Sequence, residues 1–289
     1  MNRRDALRLM LTTALAATIW PGSKAASGLV EGRMTKSTMP VIFLAHGSPM
    51  LLDSRRWVAE LKQWADAMPR PRAVLMVSAH WDQRPVALGA TRTVPLVYDF
   101  YGFPDRYYQV TYPAPGAPEL SSRVRELLKG ANTDFMDEAD RGLDHGAYVP
   151  MKCMYPEADM PTLQLSLPGL DPATVYALGQ ALAPLREEGI LIIGSGFLTH
   201  NLLALSAETP AWAAEFDGWI ADVLLRNDID ALLDYRTRAP GVQYALPTHE
   251  HFVPVILAKG AVSDAHLATT FPITGFVGGS LTRRSVQFG

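Results

Sequence analysis

Residues 190–200 read ILIIGSGFLTH, an apolar run that closes on a histidine. Two other apolar runs close in the same way, VIFLAH at 41–46 and VLMVSAH at 74–80. Such runs are typical of strands that are buried on both faces of a parallel sheet. Because ligands bind beyond the carboxyl ends of such strands, the three histidines can meet there although they are far apart in sequence. They are His46, His80 and His200.

Strand and helix patterns alternate along the rest of the chain. Strands are predicted at Val41–Ala45, Ala73–Ala79, Pro85–Ala90, Thr162–Leu167 and Ile190–Ser195. Helices are predicted at Ser54–Met68, Pro118–Leu128, Asp171–Glu188, Trp212–Leu225 and His251–Lys259. This alternation predicts βαβ units and a mainly parallel central sheet flanked by helices, and 289 residues are enough for one large α/β domain or two small ones. Since imidazole binds zinc, iron, copper and nickel, the histidines predict a metal site at the carboxyl ends of the strands.

The segment from Val94 to Pro118 departs from this pattern, because it is rich in proline and aromatic residues and has little helical or strand periodicity. Long loops without regular structure are uncommon unless they are functional. The segment is therefore expected either to form the wall of a pocket for a flat aromatic substrate or to cover the domain, packed by its own side chains.

Composition argues against nucleic-acid binding and against an intrachain disulfide. The chain has 289 residues, is 48% hydrophobic and carries a formal net charge of −3. It has no basic stripe with interleaved aromatic residues, so nucleic acid is not expected as a partner. Its single cysteine, Cys153, cannot form an intrachain disulfide and is expected in the core.

The N-terminal residues have the features of an export signal. The arginine pair Arg3 and Arg4 is followed by an apolar stretch at Leu9–Ile19 and then by a small-x-small cleavage signal at Ser23–Ala25. The apolar stretch is too short to cross a bilayer. We therefore expect residues 1–25 to be a twin-arginine signal peptide and residues 26–38 a flexible leader. The mature protein is then periplasmic and free of the membrane, with a Sec signal or a start site assigned too far upstream as the alternatives.

Three more histidines lie in two further motifs, GLDHGAY around His145 and PTHEHFVP around His249 and His251. His145 is expected in a loop flanked by glycines. The seventh histidine, His266, follows a polar stretch and is expected at the surface. The fourth motif leaves three possible metal ligands, which are His249, Glu250 and His251.

Together, the motifs FLAHGSPM, SAHW, YDFYGFP, YPAPGAPEL, GLDHGAYVPM and GFLTHNL resemble those of aromatic ring-opening dioxygenases of the DOPA-dioxygenase type, within the class III extradiol superfamily. The resemblance extends from about Met39 to Gly289. It implies a single α/β domain, one divalent metal ion (iron(II) or zinc), and O₂ and a DOPA-like catechol as substrates. Carried over by motif, the implied metal ligands are His46, His80 and His251. The resemblance also implies that His200 lies near the metal or binds it, and that His145 is the acid–base residue.

Two motifs depart from the family pattern. The family usually has proline where this chain has His249, and tryptophan is common where it has Tyr148. These two residues are candidates for substrate contacts, as are Ser48 and Asp99. Ser48 could instead cap a helix, and Asp99 could instead support a histidine, bind a substrate amine or be a solvated loop residue.

Two other functions remain open from the residues alone. Imidazole-rich zinc sites also activate water, so a zinc-dependent hydrolase is the first alternative. A periplasmic metal-binding or metal-delivery protein is the second. The sequence leaves the metal, the particular catechol and the oligomeric state unassigned.

Overall fold

The computed structural model describes residues 38–262 and 267–289, within a unit that spans Lys36–Gly289. The predicted signal peptide, the predicted leader up to residue 37, and His266 lie outside the described residues. None of the described helices is both long and apolar enough to cross a membrane.

An eight-stranded mixed sheet forms the centre of the domain, and a two-stranded hairpin lies apart from it. The strands are β1 Val41–Ala45, β2 Ala73–Asp82, β3 Val86–Leu88, β4 Phe135–Asp137, β5 Thr162–Leu167, β6 Ile190–Gly196, β7 Thr269–Ile273, β8 Phe276–Val277, β9 Leu281–Thr282 and β10 Ser285–Phe288. In the large sheet their order is β4-β3-β5-β2-β6-β1-β10-β7. The four central strands β5, β2, β6 and β1 are parallel, whereas β10 pairs antiparallel with β1 and β7, and β3 pairs antiparallel with β5.

Helices cover both faces of the sheet. They are α1 Arg55–Ala67, α2 Pro118–Gly130, α3 His145–Met154, α4 Pro172–Leu182, α5 Ala211–Leu225, α6 Ile229–Leu233, α7 Tyr235–Arg238, α8 Val242–Ala245 and α9 Val253–Gly260. Alternate side chains of one strand point to opposite faces. Accordingly, Val41 and Phe43 pack in a core with α2, α4, α5 and α9, and Ile42 and Leu44 pack in a second core with α1 and α3. This burial on both faces explains why the central strands are apolar without alternation.

The predicted strands Val41–Ala45 and Thr162–Leu167 have the same bounds in the structure. Strand β2 continues to Asp82, so His80 lies inside the strand rather than after it. The predicted helix Asp171–Glu188 is divided into α4 and a 3₁₀ helix over Ala183–Glu188. The division follows from Pro184, which has no backbone N–H to donate to the α-helical ladder.

The sequence patterns did not predict α3 or the C-terminal strands. The residues around His145 were expected to form a glycine-flanked loop, and this expectation was wrong, because His145 is the first residue of α3. The carboxylate of Asp144 caps this helix by accepting a hydrogen bond from the Ala147 backbone N–H at 3.2 Å. The segment 94–118 is irregular as predicted, apart from a 3₁₀ helix over Asp105–Gln109 and the first residue of α2.

A network of buried polar groups joins the C-terminal hairpin to the segment that carries His200. Asp217 on α5 accepts two hydrogen bonds from the Arg284 guanidinium, at 2.8 and 2.6 Å, and one from the Thr282 hydroxyl at 2.7 Å. The Thr282 backbone N–H donates in turn to the hydroxyl of Thr199 at 2.8 Å. The residue before His200 is therefore held by the hairpin.

We expect Asp217→Ala to lower the free energy of unfolding by about 3 kcal/mol, because it leaves a largely buried guanidinium without its carboxylate. Urea denaturation measures this loss. The matched control is Asp222→Ala on the same helix, whose exposed pair with Arg226 should contribute little. Equal unfolding midpoints for the two variants would contradict this account of the network.

Candidate metal centre

Three imidazoles converge at the carboxyl end of the central strands. His46 directly follows β1, His80 lies near the end of β2, and His251 lies in the turn before α9. One ring nitrogen from each lies within 4.8 Å of the other two, and the Nε2 atoms of His46 and His80 are 3.1 Å apart. Two nitrogens at this separation can bind the same ion, since zinc–nitrogen bonds are about 2.0–2.1 Å long.

The hydrogen bonds of His46 determine which of its nitrogens can bind a metal. Its Nδ1 lies 3.0 Å from the Ser195 hydroxyl, which itself donates to the Gly146 carbonyl at 2.5 Å. A hydroxyl has only one hydrogen, so Ser195 must accept a hydrogen bond from the Nδ1–H of His46. The Nε2 of His46 is then left with its lone pair free.

Carboxylates face the same nitrogen in the other two rings and favour the same tautomer. The Nδ1 of His80 lies 3.1 Å from an oxygen of Asp99, and the Nδ1 of His251 lies 3.0 Å from an oxygen of Glu250. Burial raises the pKa of Asp99, but its hydrogen bond with His145 and the nearby imidazoles outweigh burial and bring the pKa to about 2. Burial likewise raises the pKa of Glu250, and hydrogen bonds from His251, a backbone N–H and Thr248 lower it to about 2. Both groups are therefore ionised acceptors, and each Nε2 keeps its lone pair.

Burial also keeps the rings neutral, which is the form that binds metals. Removal from water, together with the neighbouring imidazoles, lowers the pKa of His46 and of His80 well below the ordinary value. Burial lowers the pKa of His251 as well, although Glu250 opposes that shift. Three neutral imidazoles with free Nε2 lone pairs and supported Nδ1 atoms are a donor set that fits a divalent transition metal.

His200 lies beside this group without being one of its three members. Its ring stacks on the His251 ring with centroids 3.6 Å apart and an interplanar angle of 11°. It forms a second possible ligand group with Glu250 and His251. Burial and the neighbouring His251 lower the pKa of His200 to about 3. The structure thus places His200 adjacent to the three-histidine group.

His145 approaches the group from the N-terminus of α3. Its ring centroid lies 4.0 Å from that of His80 and 5.4 Å from that of His46. Its Nδ1 is 2.8 Å from Asp99, and its side chain is only 9% exposed. The ring of Phe100 packs edge-on against it at 5.7 Å and belongs to the segment 94–118, called the aromatic loop below. His145 is therefore a partly shielded imidazole next to the candidate metal ligands.

Two glycines permit this close packing. A Cβ at Gly146 would press against the Ser78 hydroxyl and lie 2.9 Å from a ring carbon of His80 and 3.2 Å from Nδ1 of His46. A Cβ at Gly196 would overlap the backbone carbonyl of His251. Only glycine lets α3 and the turn before α9 approach the strand ends so closely.

The remaining predicted site residues occupy different positions. Ser48 caps the 3₁₀ helix Pro49–Asp53 by accepting from the Met50 backbone N–H at 3.3 Å. Tyr148 lies fully buried on α3, and its hydroxyl has no hydrogen-bond partner in the described part of the chain. His249 packs edge-on against Tyr235 at 5.5 Å and belongs to none of the candidate ligand groups found in that part.

Sequence reasoning missed Ser195 and Phe197, both of which contact the His46 ring. The Phe197 ring lies 5.3 Å from that of His46 and 5.7 Å from that of His200. Both residues lie in the motif IGSGFLTH, so the motif drew attention to the segment. Only the direction of each side chain shows that a serine and a phenylalanine there support the histidines.

Comparison with known proteins identifies the family. The sequence model described as the catalytic LigB subunit of aromatic ring-opening dioxygenase matches residues 40–277. The chain belongs to this family. It is thus an aromatic ring-opening dioxygenase, as its motifs predicted, and the α/β fold with a mostly parallel sheet is the one expected.

Named relatives of this LigB-family chain include two proteins called 4,5-DOPA dioxygenase extradiol. The one from Beta vulgaris is 42% identical over 231 residues, which are 77% of this chain and 86% of the relative. The one from Escherichia coli K12 is 37% identical over 266 residues, or 89% of this chain and 97% of the relative. A crystal structure of an uncharacterized protein from Escherichia coli K12 matches with a TM-score of 0.74 and 33% identity, covering 87% of this chain and 100% of that one.

We expect His251→Ala to lose most of its bound divalent metal, because it removes one of three converging lone pairs. His249→Ala is the matched control, two residues away in the same motif, and should keep the metal content of the wild type. Elemental analysis of both purified variants after dialysis tests this assignment. A variant His251→Ala with full metal occupancy, or a His249→Ala protein without metal, would show that the ligand has been misassigned.

Proposed function

We propose that this LigB-family enzyme is a metal-dependent extradiol dioxygenase that opens the ring of a DOPA-like catechol with O₂. The observation that carries the proposal is the arrangement of His46, His80 and His251, with three free Nε2 lone pairs and His145 next to them. The names of the relatives from Beta vulgaris and Escherichia coli support a catecholic substrate.

In this proposal His46, His80 and His251 hold one divalent metal ion, and His200 lies beside it. Iron(II) is the ion that suits oxygen chemistry, and the same imidazoles suit zinc. When bound, the metal supplies a Lewis acid with positions open to the catechol oxygens and to O₂. The protein contributes few ligands, so those positions stay available.

His145 is proposed as the acid–base residue. With Nδ1–H donated to Asp99, its Nε2 is free to accept a proton from a catechol hydroxyl and to return it later in the reaction. Cleavage breaks the carbon–carbon bond beside the diol, and both atoms of O₂ enter the ring-opened product. Phe100 and Phe197 shield the rings of His145 and His46, which limits access of water to the proton transfer.

The decisive experiment is anaerobic reconstitution with iron(II), followed by oxygen-electrode measurements with DOPA and a panel of other catechols. We expect oxygen uptake that requires both iron and a catechol, with one O₂ consumed per ring opened. Zinc-loaded protein is the control and should take up no oxygen. Metal-replete protein that consumes no O₂ with any catechol, but hydrolyses esters or amides, would replace this proposal with a zinc hydrolase. Reversible metal exchange without turnover would replace it with a metal carrier.

We also propose that the enzyme is exported to the periplasm by the twin-arginine route. Support comes from the arginine pair, the short apolar stretch and the small-x-small signal at Ser23–Ala25. An enzyme exported in the folded state could acquire its metal in the cytoplasm.

Replacing Arg3 and Arg4 together by lysine should trap the precursor in the cytoplasm, since the route depends on the arginine pair rather than on charge. Cell fractionation with an antibody against the mature chain measures the distribution, and wild-type protein in the same cells is the control. Normal periplasmic amounts of the double variant would point to the Sec route.

A further inference from the structure

Asp99 holds two histidines of the site at once. One carboxylate oxygen lies 2.8 Å from Nδ1 of His145 and 3.0 Å from its backbone N–H. The other oxygen lies 3.1 Å from Nδ1 of His80. The Asp99 side chain is 19% exposed, so its carboxylate is partly shielded, although the residue as a whole lies at the surface. One carboxylate therefore lies between a candidate metal ligand and the candidate acid–base residue.

We propose that Asp99 is a positioning residue that couples metal binding by His80 to proton transfer by His145. The proposal rests on the proposed dioxygenase function and adds a residue to its machinery. An ionised carboxylate only accepts hydrogen bonds, so His145 donates its Nδ1–H to one Asp99 oxygen. The other oxygen faces Nδ1 of His80 at 3.1 Å and favours the tautomer with the hydrogen on that nitrogen. The Nε2 atoms of both rings then carry no hydrogen. The lone pair of His80 Nε2 is available to the metal, and that of His145 Nε2 is available to a substrate proton. The same contacts set the separation of the two rings, whose centroids are 4.0 Å apart.

The surrounding structure holds Asp99 in place from both directions. Two residues before it, the Val97 backbone N–H donates to the Leu143 carbonyl at 2.9 Å, which ties the loop to the start of α3. Next to it, the Tyr98 hydroxyl donates to the Val110 carbonyl at 2.7 Å, within the loop itself. The aromatic loop thus places the Asp99 carboxylate next to the two histidines, and its Phe100 ring also packs against His145.

The contacts argue against the other roles considered for Asp99. Both Asp99 oxygens face a histidine Nδ1, which directs the carboxylate toward the two imidazoles. A solvated loop residue would not be shielded between two imidazoles. Glu250, in contrast, has a hydrogen bond to His251 alone among the histidines that the structure describes and lies beside His200 rather than His145, so it supports a ligand without linking it to the proposed acid–base residue.

The substitution Asp99→Asn separates these roles, because an amide has only one acceptor oxygen. Its NH₂ group faces one of the two Nδ1 atoms and forces that ring to carry its hydrogen on Nε2. In Ser–His–Asp triads the same replacement keeps the geometry, imposes the wrong tautomer and costs about 10⁴-fold in turnover. We expect iron(II) to bind 10–100-fold more weakly, the usual effect of losing such a support, or turnover at saturating metal to fall at least 10²-fold.

Three measurements are made on each protein: the metal dissociation constant by titration, kcat and KM for catechols at saturating iron(II), and the thermal midpoint. Asp105→Asn is the matched control, since it removes the same charge from the same loop outside the candidate ligand groups of the described chain. We expect the thermal midpoint of Asp99→Asn to stay near that of Asp105→Asn. Equal metal affinity and equal kcat in the two variants would overturn the proposal.

A double-mutant comparison tests the link to His145. His145→Ala alone should keep the metal and lose turnover by about 10²–10⁴-fold. Adding Asp99→Ala to it should weaken metal binding, through His80, without a further loss of turnover at saturating metal. If the turnover loss of the double variant equals the product of the losses in the two single variants, Asp99 does not act through His145. A KM that rises for DOPA but not for catechols without an amine would show that Asp99 binds substrate instead.

The outcomes also separate this inference from the proposed function. If wild-type protein loaded with iron(II) consumes no oxygen with any catechol, the dioxygenase proposal fails and the coupling to proton transfer fails with it. If wild type is active and Asp99→Asn binds metal and turns over normally, only the positioning role of Asp99 fails.

Discussion

Several imidazoles can be packed together away from water only if the rings stay neutral and each remaining N–H has an acceptor. A second positive charge would be costly at these distances, and an unpaired buried donor costs about 1–3 kcal/mol. Ser195 and Glu250 meet the second requirement by accepting the Nδ1–H groups of His46 and His251, and an Asp99 oxygen faces Nδ1 of His80 at 3.1 Å. Because every Nδ1 faces an acceptor, every Nε2 lone pair is left for a metal. The rest of the site is arranged around this constraint.

The fold provides the close approach that the constraint demands. Parallel pairing of β1, β6 and β2 brings His46, Ser195 and His80 to the same end of the sheet. Helix α3 and the turn before α9 then pack against that end. The packing is so close at Gly146 and Gly196 that neither position has room for a side chain. Polar supports and hydrophobic packing thus act together, since the rings are fixed both by their hydrogen bonds and by their neighbours.

The four central parallel strands β1, β2, β5 and β6 could be predicted with accuracy, because they are apolar runs buried on both faces and bounded by turn residues. Helix α3 could not be predicted in this way, since it begins with His145-Gly146 and contains Pro150, which local preferences place outside helices. Nine of its ten residues are buried, so tertiary packing overrides those preferences. The short strands β7 and β10 have the same explanation, because their positions depend on pairing with each other and with β1.

The sequence by itself determined the family, the α/β class and the histidines available as ligands, because these depend on motifs and on hydrophobic periodicity. The tertiary structure decided which imidazoles of PTHEHFVP and GFLTHNL join His46 and His80, and it placed His251 in the group, His200 beside it and His249 on Tyr235. It also revealed that Ser195 and Asp99 set the tautomers. The physical reason is that a hydrogen bond depends on the direction of each side chain, and residues far apart in sequence determine that direction through packing.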